Sequence, residues 1–113
     1  MRGIQEYLDN IQKLIDATKQ GKLVWKKQDA TTFYFSRSLY EKVSIQLLTD
    51  TVSKFNKIYL LQIEESLFKQ ILLSIDSSIP ELKDKLIELF DEVSYVIERK
   101  KGVDFFSNLT KNL

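Results

Sequence analysis

The sequence predicts one α+β domain, an antiparallel β-meander of four to five strands flanked by an N-terminal and a C-terminal amphipathic helix. Two changes of hydrophobic period support this prediction. Apolar residues recur every three to four positions over about residues 3–20 and 79–101, whereas about residues 22–76 alternate with a period of two. A chain of 113 residues, 43% hydrophobic and 29% charged, has the size and composition of a single globular domain over 1–113.

The first helix has one apolar face and one polar face. Its apolar positions have helical spacing: Ile4, Tyr7, Leu8, Ile11, Leu14 and Ile15. Gly21 follows the last of them and is predicted to end the helix, because glycine enters the left-handed conformation without a steric penalty.

The meander begins at Lys22, where alternation replaces the helical period. The alternating apolar residues are Leu23 and Trp25, then Phe33 and Phe35, then Val43, Ile45 and Leu47, and the segment "KIYLLQIEE" follows from Lys57. The intervals "QDA", "SRSLYE" and "TDTVSKFN" have the length and polarity of strand connections. Strands joined by such short connections pair antiparallel.

The segment Leu67–Ile75 fits both a helix and a strand. Leu67, Ile71, Leu72 and Ile75 have helical spacing, while Ile71, Leu73 and Ile75 alternate. The β-branched residues and the "DSS" that follows favour a last strand, with Glu64–Lys69 partly a turn.

The closing helix has start and stop signals. Ser78 and Glu81 have the spacing of a capping box, and Pro80 falls in the first turn, where its missing N–H is not needed. Gly102 is predicted to end the helix. The remaining tail, 102–113, carries Phe105 and Phe106, which we expect to fold back onto the body or to bind a partner.

Five segments of the chain follow one another between about residues 10 and 97: "TKQGKLVWKK", "TTFYFS", "YLLQIEE", "LLSIDSS" and "PELKDKLIELFDEV". In this order they resemble a group of small, uncharacterised proteins encoded in bacterial and phage genomes. The resemblance implies the same helix, meander and closing helix starting near "PEL", and a bacterial or phage origin. It carries no catalytic residues.

The composition excludes many chemistries. Without histidine or cysteine the chain has no Ser–His–Asp triad, thiolate nucleophile or imidazole or thiolate metal ligand. With glycines only at 3, 21 and 102, no phosphate-binding loop can be written. The acids of the last helix are predicted to form a solvated face rather than a metal site. We therefore expect no enzyme, no cofactor and no metal.

The N-terminus and the net charge bear on location and partners. The first residues lack the apolar core of a signal peptide, and no run reaches the roughly 18 apolar residues of a membrane span. The net charge of +1 gives no global attraction to nucleic acid or to an anionic membrane. A cytoplasmic protein without a membrane partner is predicted.

Two functional hypotheses remain. The second sheet face is more apolar than a solvated face requires, and either Tyr59, Leu61 and Ile63 or Ile58 and Leu60 must lie on it. The first hypothesis is therefore a module that binds another protein or itself. Its candidate interface residues are Val24, Tyr34, Tyr59, Leu61, Phe105 and Phe106.

The alternative is single-stranded nucleic-acid binding by the basic and aromatic first hairpin, since bases stack on exposed aromatic rings beside cations. The candidate contacts are Lys22, Trp25, Lys26, Lys27 and Arg37, together with Tyr34. The parity of Trp25, Phe33 and Phe35 instead favours inward-facing core residues.

Overall fold

The computed structural model describes residues 3–49 and 56–113, and it confirms the predicted α+β class with a β-meander. Along the chain the elements are α1 (Ile4–Lys19), β1 (Lys26–Asp29), β2 (Thr32–Ser36), β3 (Glu41–Thr49), β4 (Lys57–Glu65), β5 (Gln70–Asp76), α2 (Pro80–Ser94), a π-helical turn (Tyr95–Arg99) and α3 (Lys100–Lys111). The connection predicted over residues 49–56 lies mostly outside the described residues.

The five strands form one antiparallel sheet in the order β1-β2-β3-β4-β5. Phe33 pairs with Ile45, Ile45 with Leu61, and Leu61 with Ile75, so these four side chains form an apolar row on one face. The ambiguous segment is a turn over residues 66–69 followed by β5, which confirms the predicted last strand.

The helices bury the apolar row. Four side chains of α2 are fully buried at helical spacing: Leu82, Leu86, Leu89 and Val93. From α1, Ile11 and Ile15 join the same core. The Phe90 ring lies 5.5 Å from the Phe33 ring and 5.4 Å from the Tyr59 ring, which joins α2 to β2 and β4. One continuous core therefore holds the sheet and both helices together.

Trp25 joins the end of α1 to the sheet. Its Nε1 donates to Thr18 Oγ1 at 2.9 Å, and that hydroxyl donates to the Leu14 carbonyl at 2.7 Å. The ring lies edge-on to Phe35, with 4.7 Å between ring centroids. Trp25 is only 6% exposed, so the inward orientation predicted from its parity is confirmed.

The first hairpin begins later than the sequence predicts. β1 starts at Lys26 rather than near Leu23, and it includes Gln28 and Asp29 of the predicted "QDA" connection. The turn is at Ala30–Thr31, where Asp29 Oδ1 accepts a hydrogen bond from the Thr31 N–H at 3.0 Å. This local bond lowers the pKa of Asp29 and fixes the turn two residues later than predicted.

The predicted capping box at Ser78 and Glu81 is wrong. The N-cap residue is Ile79, which has an extended backbone, and Pro80 is the first helical residue. The Ser78 N–H donates to Asp76 Oδ1 at 2.7 Å, which is an Asx turn. This bond holds the backbone of Ser78 in a turn one residue before the N-cap. The Ser78 hydroxyl therefore does not cap the helix.

The predicted helix end at Gly102 and the tail over 102–113 are also wrong. The helix continues through the π turn into α3 and ends at Lys111. The glycines with positive φ are Gly3 and Gly21, so Gly21 has the left-handed backbone predicted for it, whereas Gly102 is helical. A glycine inside a helix costs only about 1 kcal/mol relative to alanine, which a twelve-residue segment tolerates.

Replacing Thr18 with valine removes the only side-chain acceptor that Trp25 Nε1 has among the described residues, at nearly constant volume. We expect Thr18→Val to lower the free energy of unfolding by about 1–3 kcal/mol, because a buried donor loses its partner. Urea denaturation measures the change. In a Trp25→Phe background the donor is absent, and the same substitution should cost less. Equal costs in both backgrounds would contradict the role of this bond.

Two glycine substitutions should have opposite effects. An added Cβ meets nothing within 4 Å at Gly21 or at Gly102, but only Gly21 has a positive φ, +72°. Gly102→Ala should stabilise α3 by about 0.5–1 kcal/mol and slow its amide exchange. Gly21→Ala should lower the free energy of unfolding by about 1–2 kcal/mol. Faster amide exchange in α3 of the Gly102→Ala variant would contradict a helical backbone at Gly102.

Candidate interaction surfaces

The strand register decides which side chains lie on the second sheet face. Tyr59 pairs with Leu47, and Leu61 pairs with Ile45, so both lie on the face that the helices cover. The predicted interface role of Tyr59 and Leu61 is therefore wrong, since Leu61 is 4% exposed and Tyr59 packs against Phe90. Burial, assisted by the Asp91 carboxylate, raises the pKa of Tyr59.

The second face, which we call the open face, is mostly polar. Tyr34 lies on it, with the Lys42 ammonium 4.7 Å from the centre of its ring. Its other members on β3, β4 and β5 include Ser44, Gln46, Gln62 and Ser74. Leu48 and Ile58 pair at one end of this face and are each less than two-fifths exposed. Leu60 lies between polar partners on this face, and the exposed Ile71, which pairs with Glu64, lies at its other end.

Val24 is exposed, but it precedes β1 and lies outside the sheet. The predicted interface residues Val24 and Tyr34 are therefore in different settings. Val24 lies in the connection between α1 and β1, whereas Tyr34 lies within the open face on β2. The structure does not bring the predicted interface set together on one surface.

The candidate nucleic-acid contacts are also dispersed. Trp25 is buried against Phe35, so its ring is not available for base stacking. Lys27 Nζ lies 2.8 Å from Glu98 Oε1, and Arg37 Nε lies 3.7 Å from Glu41 Oε2. The exposed Lys22 precedes the sheet, and Lys26 pairs with Tyr34 in the register of β1 and β2. Of the predicted set, this last pair alone places an aromatic ring and a cation side by side on the open face.

One exposed apolar surface lies on α3. Every side chain of α3 is exposed. The large apolar ones follow helical spacing on one side, which we call the α3 face: Val103 (46% exposed), Phe105 (69%), Phe106 (65%), Leu109 (57%) and, just beyond the helix, Leu113 (101%). Phe105 and Phe106 do not fold back onto the body, so that part of the prediction is wrong.

The α3 face is out of phase with the buried stripe of α2. Positions 7, 11, 14 and 18 residues beyond Val93 would continue that stripe in a straight α-helix. They hold Lys100, Asp104, Ser107 and Lys111, which are polar. In a straight helix the apolar residues of α3 would lie on the other side, and a π turn separates the two segments. The helix therefore carries two apolar stripes, one for the core and one directed elsewhere.

A second apolar surface lies between α1 and the far strands of the sheet. We call it the α1–β5 groove; its volume is about 320 Å³, and it is lined by Tyr7, Asn10, Ile11, Leu14, Leu61, Ile63, Leu73 and Ile75. Asn10 is its polar member and is exposed on α1. The groove exists because α1 packs mainly on α2 and leaves a gap above β4 and β5.

Within residues 3–49 and 56–113, no three acidic side chains gather closely enough to hold a metal ion. In the same part of the chain, no helix combines the length and the apolar character needed to cross a bilayer.

Comparison with family models, curated proteins and solved structures gives no match for this chain. The resemblance to the small bacterial and phage proteins accordingly stays a prediction.

The ion pair between Lys27 and Glu98 links β1 to the π turn between α2 and α3. Its hydrogen bond, helped by the charges of Lys27 and Arg99, lowers the pKa of Glu98. A carboxyl whose folded pKa is lowered stabilises the fold above its unfolded pKa, and this contribution disappears as the pH falls through the folded value.

We expect Lys27→Met to raise the pKa of Glu98 towards its ordinary value, because the carboxylate loses its nearest cation. Titration of the Glu98 carboxyl by NMR measures the shift. Lys26→Met is the matched control, since Lys26 is the neighbouring exposed lysine on the opposite face, and it should leave this pKa nearly unchanged. A Glu98 pKa that is unmoved in the Lys27 variant would contradict the ion pair.

Proposed function

We propose that this protein is a small, non-enzymatic module that binds another protein through the α3 face. The observation that supports this proposal most directly is the exposure of Val103, Phe105, Phe106 and Leu109 on one side of a helix that extends from the body. The packing of α3 is with the π turn that precedes it in the same helix. Exposed apolar surface of this kind is typical of interaction sites.

The size of the hydrophobic effect supports the same proposal. Burying a large apolar side chain stabilises a complex by about 1.5–3 kcal/mol relative to leaving it in water. The two phenylalanines are also of the residue class that supplies the centres of protein interfaces. An amphipathic helix that places its apolar face in a groove is a recurring mode of protein recognition.

The setting of this function is part of the proposal. We place the module in the bacterial cytoplasm, encoded by a bacterium or by a phage, as the resemblance and the sequence predict. The single-stranded nucleic-acid alternative depends on Lys26 and Tyr34, because Trp25 is buried. It stays a prediction, which salt-dependent retention of single strands would test.

Site-specific photo-crosslinking tests the proposed interface. A photoreactive phenylalanine analogue at position 106 should form adducts in cells that produce the protein, because this side chain would be buried in the partner. The same analogue at position 108 is the matched control, since Asn108 lies on the polar side of α3. Mass spectrometry of the adducts identifies the chain that is bound.

A second variant separates binding from folding. Leu109→Glu should abolish the adducts at position 106 while leaving the midpoint of urea denaturation unchanged, because Leu109 is exposed and lies outside the core. Equal adduct yields at positions 106 and 108 would overturn the proposal.

A further inference from the structure

We infer that the π turn is a hinge, and that the ion pair between Lys27 and Glu98 is the latch that fixes the direction of α3. The biological role of the latch rests on the proposed function, because the latch sets the direction in which the α3 face meets its partner. Three observations support the hinge: the backbone of the π turn, the exposure of α3, and the contact between the turn and β1.

The helix changes its hydrogen-bonding pattern at the π turn. The Lys100 N–H donates to the Tyr95 carbonyl, five residues back, whereas an α-helix uses the carbonyl four residues back. Arg99 has a φ of −123°, although Ser94 and Lys100 on either side of the turn have φ values of −59° and −57°. Such turns are among the few sites at which helices kink sharply. The direction of α3 therefore depends on the dihedral angles of a few residues near Arg99, as in a hinge.

The core holds α2 in place but does not extend to α3. Val93 is the last fully buried residue of the long helix, and Ile97 is the last that packs against the core. Every residue from Glu98 to Leu113 is exposed. A segment with so few buried apolar contacts can change its orientation at little cost in free energy. The boundary of the core thus coincides with the hinge.

The latch joins the hinge to the edge of the sheet. Lys27 pairs with Phe33 in the register of β1 and β2, so its side chain lies on the face that the helices cover. Its Nζ lies 2.8 Å from Oε1 of Glu98, the residue that precedes Arg99. The two side chains are 46% and 38% exposed, so water and salt weaken the contact. An ion pair of this kind holds α3 in one direction but can open.

Distances between two spin labels test the hinge in the full chain. The chain has no cysteine, so Asn108→Cys on α3 and Lys13→Cys on α1, both at exposed positions, provide one labelled pair. Pulsed electron spin resonance measures the distribution of the distance between the labels. Lys27→Met opens the latch, and Lys26→Met, on the open face, is the matched control. Circular dichroism and urea denaturation check that each variant folds.

We expect one predominant distance in the wild type and in Lys26→Met. In Lys27→Met, the population of redirected α3 should rise about two- to fivefold relative to the original one, which is the range for an exposed ion pair. Salt at about 1 M should have the same effect on the wild type and little effect on Lys27→Met.

A deletion tests the position of the hinge. Deleting Arg99 from the Lys27→Met variant removes the extra residue of the π turn and allows a regular α-helix. One narrow distance should then return although the latch is absent, because the regular helix has no hinge.

Two results would overturn the inference: a distance distribution that Lys27→Met leaves unchanged, and a redirected population that persists after the deletion of Arg99. The proposed function fails separately. If the distances respond as expected but position 106 forms no adducts, the hinge holds and the proposed function fails. If position 106 forms adducts but Lys27→Met changes no distance, the proposed function holds and the inference fails.

Discussion

The fold depends on one constraint: a sheet with one apolar face must have that face covered within a chain of 113 residues. The row Phe33, Ile45, Leu61 and Ile75 crosses four of the five strands, and the buried stripe of α2 lies over it. Because α2 contributes four fully buried residues, it is the element that joins the strands to α1. What α2 and α1 leave uncovered, at β4 and β5, becomes the groove.

Local signals in the sequence were sufficient for the architecture. The alternation at Phe33 and Phe35 predicts the meander, and the helical spacing from Leu82 to Val93 predicts its covering helix. Both predictions work because strands and helices have different hydrophobic periods. The element ends were harder to predict. Gly102 has the sequence of a helix end but a helical backbone, since nothing around it requires a positive φ. The spacing of Val103, Phe106 and Leu109 was the signal that could have revealed α3.

The interaction surfaces could be predicted only in part. The segment "YLLQI" is apolar at both parities, so the assignment of Tyr59 and Leu61 to a face depends on their register with β3, which is a non-local property. Phe105 was predicted as an interface residue on a tail, but it lies on a projecting helix. The groove has no signature in the sequence, because residues from α1 and two strands form it only after folding.

The location of the single tryptophan determines what fluorescence can report. Trp25 is buried where α1 meets β1, whereas the side chains of α3 are exposed and lie outside the core. Tryptophan emission therefore follows the opening of the body, whereas circular dichroism also counts the twelve residues of α3. If α3 frays before the body unfolds, the two signals will give transitions that do not coincide. Such a difference would reflect two regions of unequal stability, not a populated folding intermediate of the core.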